Sequence, residues 1–476
     1  MGRAYLGPVP HLAVGVRLPD VVAPPVLKAF RARDSVGGLM LSFNRETAPR
    51  DVIEGGGHVL LGHTGTSIAE YVGRATELAE VYGALVEVEA DHVSLMASPE
   101  RAIKRITGGG FEYGLSDEEV RRSLSYIERE FREVRDAGGV DFVTIDTCEL
   151  IDLSVERVGG GELAALYEER FDEGFRRGLE DRYVGRSFKF FTDSGVYVVR
   201  FGREDVARLA LKLLRSVEHV KVVYDLVRGL NGRAFGVEVA LDETPYPTSP
   251  KELVFYLNEL RAAGVDPDFV APNIGFRKRE DFTGDLRELA ERVEVLHSIA
   301  TSFGSLLSIH SGSGAHPYSD KGLGTWEVLW EVTGGWLKYK VSGVYVQLLL
   351  EVMSRFPRGS RPRRLYEEVF DAVYEYLVRE VRVRGPLYTP HLEGVVKRCD
   401  PRARNPREDL FRHYFFLFQA LSREGRRYLR EEVLELYRGD EGLRREYERE
   451  AYELTLRIID KLGFTGNYLR YRVTGG

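Results

Sequence analysis

The feature that most constrains this chain is a regular alternation that sets in after Gly57. Short apolar runs end in polar or glycine-rich loops, and capped amphipathic helices follow several of them. The runs cover 59–62 (VLLG), 84–89 (ALVEVE), 140–146 (VDFVTID), 187–191 (SFKFF), 235–241 (FGVEVAL), 269–273 (FVAPN), 305–310 (SLLSIH) and 337–342 (LKYKVS). They are short and mostly rich in β-branched or aromatic residues, as buried parallel strands are. Between them, Ser67 with Glu70, Ser116 with Glu119 and Ser249 with Glu252 have the spacing of capping boxes. Pro250 adds a first-turn proline to the third. Ile68, Tyr71, Val72, Ala75, Leu78, Ala79 and Tyr82 fall on one face of the first helix, which Gly83 ends.

Eight strands alternating with helices predict an α/β fold, a (β/α)8 TIM-type barrel. The rival, a doubly wound open sheet, normally brings a glycine-rich nucleotide loop. Neither GxGxxG after a strand nor GxxxxGK[ST] is present. The expected organisation is an irregular N-terminal segment (1–56), a catalytic barrel (57–345) and a helical C-terminal extension (346–476). PRGSRPRR at 357–364 reads as a linker. The extension either caps the mouth or builds a homo-oligomer interface.

Composition narrows the chemistry. Lys and Arg number 67 against 74 Asp and Glu, for a net charge of −7, so no basic excess favours nucleic acid. No apolar run approaches the length of a membrane span, and the proline-broken start lacks a signal-peptide core. A cytoplasmic protein is expected. The high charge with few Cys and Met leans toward a thermophile. The two cysteines, Cys148 and Cys399, are far apart, so a thiolate metal site is excluded and any metal takes nitrogen and oxygen ligands.

In a barrel of this kind, chemistry gathers at the C-terminal ends of the strands. Those ends offer His63, Asp91 with His92, Asp146, Lys189, Glu238 with Asp242 and Glu243, Asn273, His310 with Ser311, and Lys340. The Asp91-His92 pair can supply a base and a ligand from one turn, or be a plain loop pair. Glu238 lies inside an apolar run. It requires a salt bridge to Lys189 or Lys340, a metal, or a raised pKa suited to a general acid. His310 opens HSGSG, which reads as a ligand with backbone donors, as a phosphate site, or as a core histidine. Convergence of His92, Glu238 and His310 would make an N/O site for a divalent ion: zinc, manganese, nickel or cobalt. Asn273, Lys189, Lys340 and Ser311 complete the rim as candidate substrate contacts. Arg277 and Lys278 can meet a substrate carboxylate or be solvated loop charges. No nucleotide cofactor is expected.

EVEADHV (87–93), FGVEVALDET (235–244), FVAPNIGFRK (269–278), SIHSGSG (308–314) and LKYKVSG (337–343) resemble the tagaturonate/fructuronate epimerase family, which includes tagatose 4-epimerases. The resemblance runs over about residues 60–345. It implies metal-dependent inversion at C4 of a ketohexose or ketohexuronate. In that reading Asp91 is the base, His92 and His310 are metal ligands, and Glu238 is a proton donor or ligand. One departure is a longer loop: HSGSGAHPYSDK (310–321) replaces a compact HSGSDK, which bears on Asp320 and Lys321. The C4 hydrogen is β to the carbonyl and not acidic. The expected route is therefore retro-aldol cleavage of C3–C4 and re-addition, with transient nicotinamide oxidation as the rival. Two alternatives stand beside it: a metal-dependent ketose or ketose-phosphate aldolase, and a non-catalytic barrel subunit of an aldolase.

Overall fold

The computed structural model describes residues 2–55, 59–106 and 114–470. Eight strands close a parallel barrel: β1 (His11–Gly15), β2 (Gly37–Ser42), β3 (Val86–Ser94), β4 (Phe142–Asp146), β5 (Gly236–Ala240), β6 (Phe269–Ala271), β7 (Leu306–Ile309) and β8 (Leu337–Val341). Each strand pairs with its neighbours in order, and β1 closes on β8 with Val14 opposite Val341. Helices separate the strands: α1 (Pro19–Ala32), α2 (Ile68–Tyr82), α3 (Asp117–Asp136), α4 (Arg203–Leu230), α5 (Pro250–Ala262), α6 (Leu286–Ser302), α7 (Thr325–Thr333) and α8 (Val344–Arg355). Their starts follow the caps. Ser116 and Ser249 form complete capping boxes, and the Ser67 hydroxyl accepts from the Glu70 amide. Gly83, at φ +61°, ends α2.

Six of the expected strands stand in the barrel and two do not. Residues 59–62 form a turn, and Gly57 and His58 beside them lie outside the described residues. The run 187–191 is a strand, but it belongs to an antiparallel hairpin (187–200) outside the barrel, with Phe191, Val196, Tyr197 and Val198 exposed. The missing barrel strands, β1 and β2, come from the N-terminal 56 residues. That segment is therefore not irregular but supplies a quarter of the barrel wall.

The barrel interior is unusually charged. On β3, alternate residues Glu87, Glu89 and Asp91 are all buried, as period-2 geometry requires for one face. Lys338 Nζ lies 2.6 Å from Glu89 and 3.5 Å above the Phe142 ring. His11 Nε2 stands 3.7 Å from both Glu87 and Glu89. Gly38 makes room for this layer: a Cβ there would sit 1.7 Å from a Glu89 carboxylate oxygen.

The C-terminal helices pack on the barrel. Helix Glu441–Lys461 lies against α1 and α8. Beyond it, the Asn467 amide bonds the backbone of both Pro10 and Val36, at the entrances of β1 and β2. Phe411, Tyr414, Phe415, Leu417 and Phe418 are buried core, not a free surface.

Candidate active site

A bulge in β3 sets up the site. Ala90 pairs with Val143 and Val93 with Ile145, so β3 inserts one extra residue relative to β4. In a regular strand Asp91 and His92 would face opposite sides. The bulge, with His92 at φ +48°, turns both side chains into one cleft at the mouth. The cleft has a cavity volume of about 120 Å³ and is also lined by Asp242, His310, Ser311 and Lys340.

Lys340 is the hub. Its Nζ lies 2.8 Å from Asp91, 2.8 Å from Glu238 and 2.7 Å from the Thr144 hydroxyl. The Ser42 hydroxyl donates to the other Asp91 oxygen at 2.9 Å. Burial alone would raise both carboxyls, but the Lys340 ammonium and the nearby imidazoles outweigh it and hold both well below the usual range. Lys340 is raised in return, because two carboxylates overcome its burial. Glu238 is therefore an ionised partner of Lys340, not a carboxylic acid with raised pKa. Its alternative partner, Lys189, lies on the exposed hairpin away from the cleft. Lys189 is thus removed as a substrate contact.

The candidate metal ligands converge, with one substitution. His92, Asp242 and His310 bring ligand atoms within 4.8 Å of one another. Asp242, not Glu238, completes this cluster. His92 Nδ1 is backed by Asp146 at 3.2 Å, which leaves Nε2 open. His310 Nε2 lies 2.5 Å from Glu238 and its Nδ1 3.1 Å from Asp242. Both Asp242 oxygens are buried, and one of them faces the His310 Nδ1. Two imidazoles and a buried carboxylate suit a borderline divalent ion. Without an ion, burial would lower His310, but Asp242 and Glu238 raise it to about 9.

Other rim residues organise loops. The Asn273 side chain donates to the Thr244 carbonyl and accepts from the Gly275 amide, so its groups are taken by backbone. Asp320 pairs with Arg457 at 2.6 Å and Lys461 at 2.8 Å. Lys321 donates to the carbonyls of Arg277, Glu280 and Ser313, pinning the loop after β6 to the loop after β7.

A second wall of the cleft is cationic: Arg17, Arg45, Lys278 and Arg279, with His63. Glu46 takes Arg17 at 2.5 Å. Glu243 takes Arg45 at 3.2 Å and also Lys278. His63 is buried with neither ring nitrogen bonded. Burial and the surrounding guanidiniums of Arg17, Arg279, Arg427 and Arg45 hold it neutral. The C-terminal region props this wall. Arg427 donates to the carbonyls of Gly62 and His63, and the Phe416 ring lies 4.6 Å from the His63 ring. Arg17, Arg45, Arg279 and Asp242 as a candidate ligand escaped the sequence reading. The two arginines Arg17 and Arg45 follow β1 and β2, the strands it lacked.

A closed parallel barrel with ionised carboxylates, imidazoles and a lysine gathered at its C-terminal mouth has the architecture of a (β/α)8-barrel enzyme. The family model described as tagaturonate epimerase matches residues 127–376, and the chain belongs to that family of sugar epimerases. A tagaturonate/fructuronate epimerase from Thermotoga maritima is 30% identical over 190 residues, which span 39% of this chain and 37% of that protein. The crystal structure of a fructuronate-tagaturonate epimerase from Cohnella laeviribosi, with two glycerols bound, shares the fold. Its TM-score is 0.66 at 19% identity, covering 96% of this chain and 82% of that one. The native form of the same enzyme gives 0.64. No helix among the described residues is long and apolar enough to cross a membrane.

Proposed function

We propose that this protein inverts C4 of a ketohexose or ketohexuronate, in the manner of tagaturonate/fructuronate interconversion, with a divalent ion held by His92, Asp242 and His310. One observation carries the reading: Asp91, ionised beside Lys340, shares a cleft with two imidazoles and a carboxylate whose ligand atoms converge.

A bound divalent ion would supply Lewis-acid polarisation of the substrate's C2 carbonyl and C3 oxygen. Asp91, ionised and facing the cleft, takes the proton of the C4 hydroxyl. The C3–C4 bond breaks as C4 becomes an aldehyde, and its electrons pass toward C2. Rotation of the aldehyde presents its other face, the bond re-forms, and Asp91 returns the proton to O4. Lys340 keeps Asp91 ionised between these steps and Glu238 orients Lys340 and His310.

The test is purified protein stripped with chelator and re-metallated with Zn, Mn, Ni or Co separately. Each form is incubated with tagaturonate, fructuronate, tagatose and fructose. Metal-dependent interconversion of one pair is expected. Absence of interconversion with every metal rejects the reading, and accumulation of free three-carbon aldehyde without epimer points to an aldolase.

A further inference from the structure

The cationic wall holds more positive charge than its carboxylates neutralise. Glu46 is shared with Arg17, and Glu243 with both Arg45 and Lys278. Among the described residues, no carboxylate pairs with Arg279, whose guanidinium donates to the His413 carbonyl instead. Arg17 is 7% exposed, yet its Nη1 has no hydrogen-bond partner. His63 is 2% exposed with both ring nitrogens free of partners. An unsatisfied guanidinium N–H in a buried setting is costly, roughly 1–3 kcal/mol or more for a charged group. All three side chains line the cleft that contains Asp91 and the ligand cluster.

The backbone around Arg279 and His63 is held by side-chain contacts. Arg279 sits at φ +63°, a conformation rare for a long side chain. Lys321 clamps the carbonyls on either side of it, Arg277 and Glu280. Phe416 lies 5.7 Å from the Arg279 guanidinium and packs on His63. Arg427 ties down the His63 backbone. Elements from the barrel and the C-terminal region thus jointly position side chains that line one cleft.

We infer that Arg17, His63 and Arg279 are the specificity-determining residues that hold an anionic terminus of the substrate, a carboxylate at the end of the sugar remote from the ketone. This rests on the epimerase reading above and extends it to residues. A carboxylate accepts from the open Arg17 N–H and from a neutral His63 N–H, which otherwise have no partner, and gives the Arg279 guanidinium the carboxylate it lacks. A neutral hydroxymethyl terminus satisfies at most part of them.

The test compares kcat/KM for tagaturonate with kcat/KM for tagatose in the metal-loaded wild type, Arg279→Met and His63→Phe. In Arg279→Met the uronate-to-ketose ratio is expected to fall at least 30-fold, mostly through KM for the uronate. An unchanged ratio overturns the inference, whether both rates fall together or neither does. Calorimetry of tagaturonate with metal-free protein is the independent arm. Binding weakened by added salt and by Arg279→Met is expected. Binding to the variant as tight as to the wild type rejects the anion site. If no substrate turns over in the wild type while this binding persists, the epimerase reading fails and the anion site stands.

Discussion

Glu238 and Lys340 stand 2.8 Å apart inside the barrel, one fully buried and the other nearly so. They project from β5 and β8, which are not neighbours in the sheet. Their contact crosses the interior beneath the cleft and couples Asp91 on β3 to His310 just beyond β7.

Replacing Lys340 with Met should therefore damage more than one contact. Asp91 and Glu238 would face each other buried and without their shared cation. Removing one partner of a buried ion pair costs about 3–5 kcal/mol. The expected result is a lower urea midpoint and an activity loss of about 100-fold or more. A variant with unchanged midpoint would show that the charges are compensated elsewhere.

The bulge at His92 allows strain and chemistry to be separated. At φ +48° a residue with a Cβ is strained, by roughly 1–2 kcal/mol, and glycine is not. His92→Gly should be more stable than His92→Ala by about 1 kcal/mol. Both should lose metal, read by metal analysis after gel filtration. Equal stabilities would place the strain elsewhere.

The His310 imidazole gives the metal-free protein a specific pH dependence. Its folded-state pKa is raised to about 9 from an ordinary value near 6.5. A raised base contributes fully below the unfolded pKa and loses that contribution as pH rises through the folded one. Metal-stripped protein should lose up to about 3 kcal/mol between pH 6.5 and 9.5 relative to His310→Asn. Denaturant titrations at the two pH values measure it. A stability difference that does not shrink with pH would contradict the two carboxylate contacts.

Gly38 tests the charged interior layer. A Cβ at this position meets Glu89 at 1.7 Å, and Glu89 is held by Lys338. Gly38→Ala should destabilise by about 1–3 kcal/mol, measured by urea unfolding. Retained wild-type stability would mean that Glu89 has room to move.

Much of the barrel was legible because its strands are buried on both faces and read as near-continuous apolar runs. The losses have physical causes. HLAVG and GGLMLS are short and glycine-containing, and α1 between them carries Pro24 and Pro25. Its helical pattern was therefore masked by residues that usually break helices. SFKFF has the aromatic content of a strand, but the Asp193-Ser194-Gly195 turn, with Gly195 at φ +138°, marks it as a hairpin arm. At the site, Asp91, His92, His310 and Lys340 fell at strand ends as the barrel rule requires. Asp242 was visible at the same rim, but nothing local distinguished it from Glu238. Only the cross-barrel position of Lys340 separates the two.

The closure of β1 on β8 also has a consequence for how the chain is made. Val14 finds its partner, Val341, only after most of the protein has left the ribosome, and Asn467 fastens Pro10 and Val36 later still. Such distant pairings give a high contact order and slow folding. During synthesis, the edge of β1 that meets β8 waits unpaired, and such an exposed strand edge in a nascent chain favours aggregation.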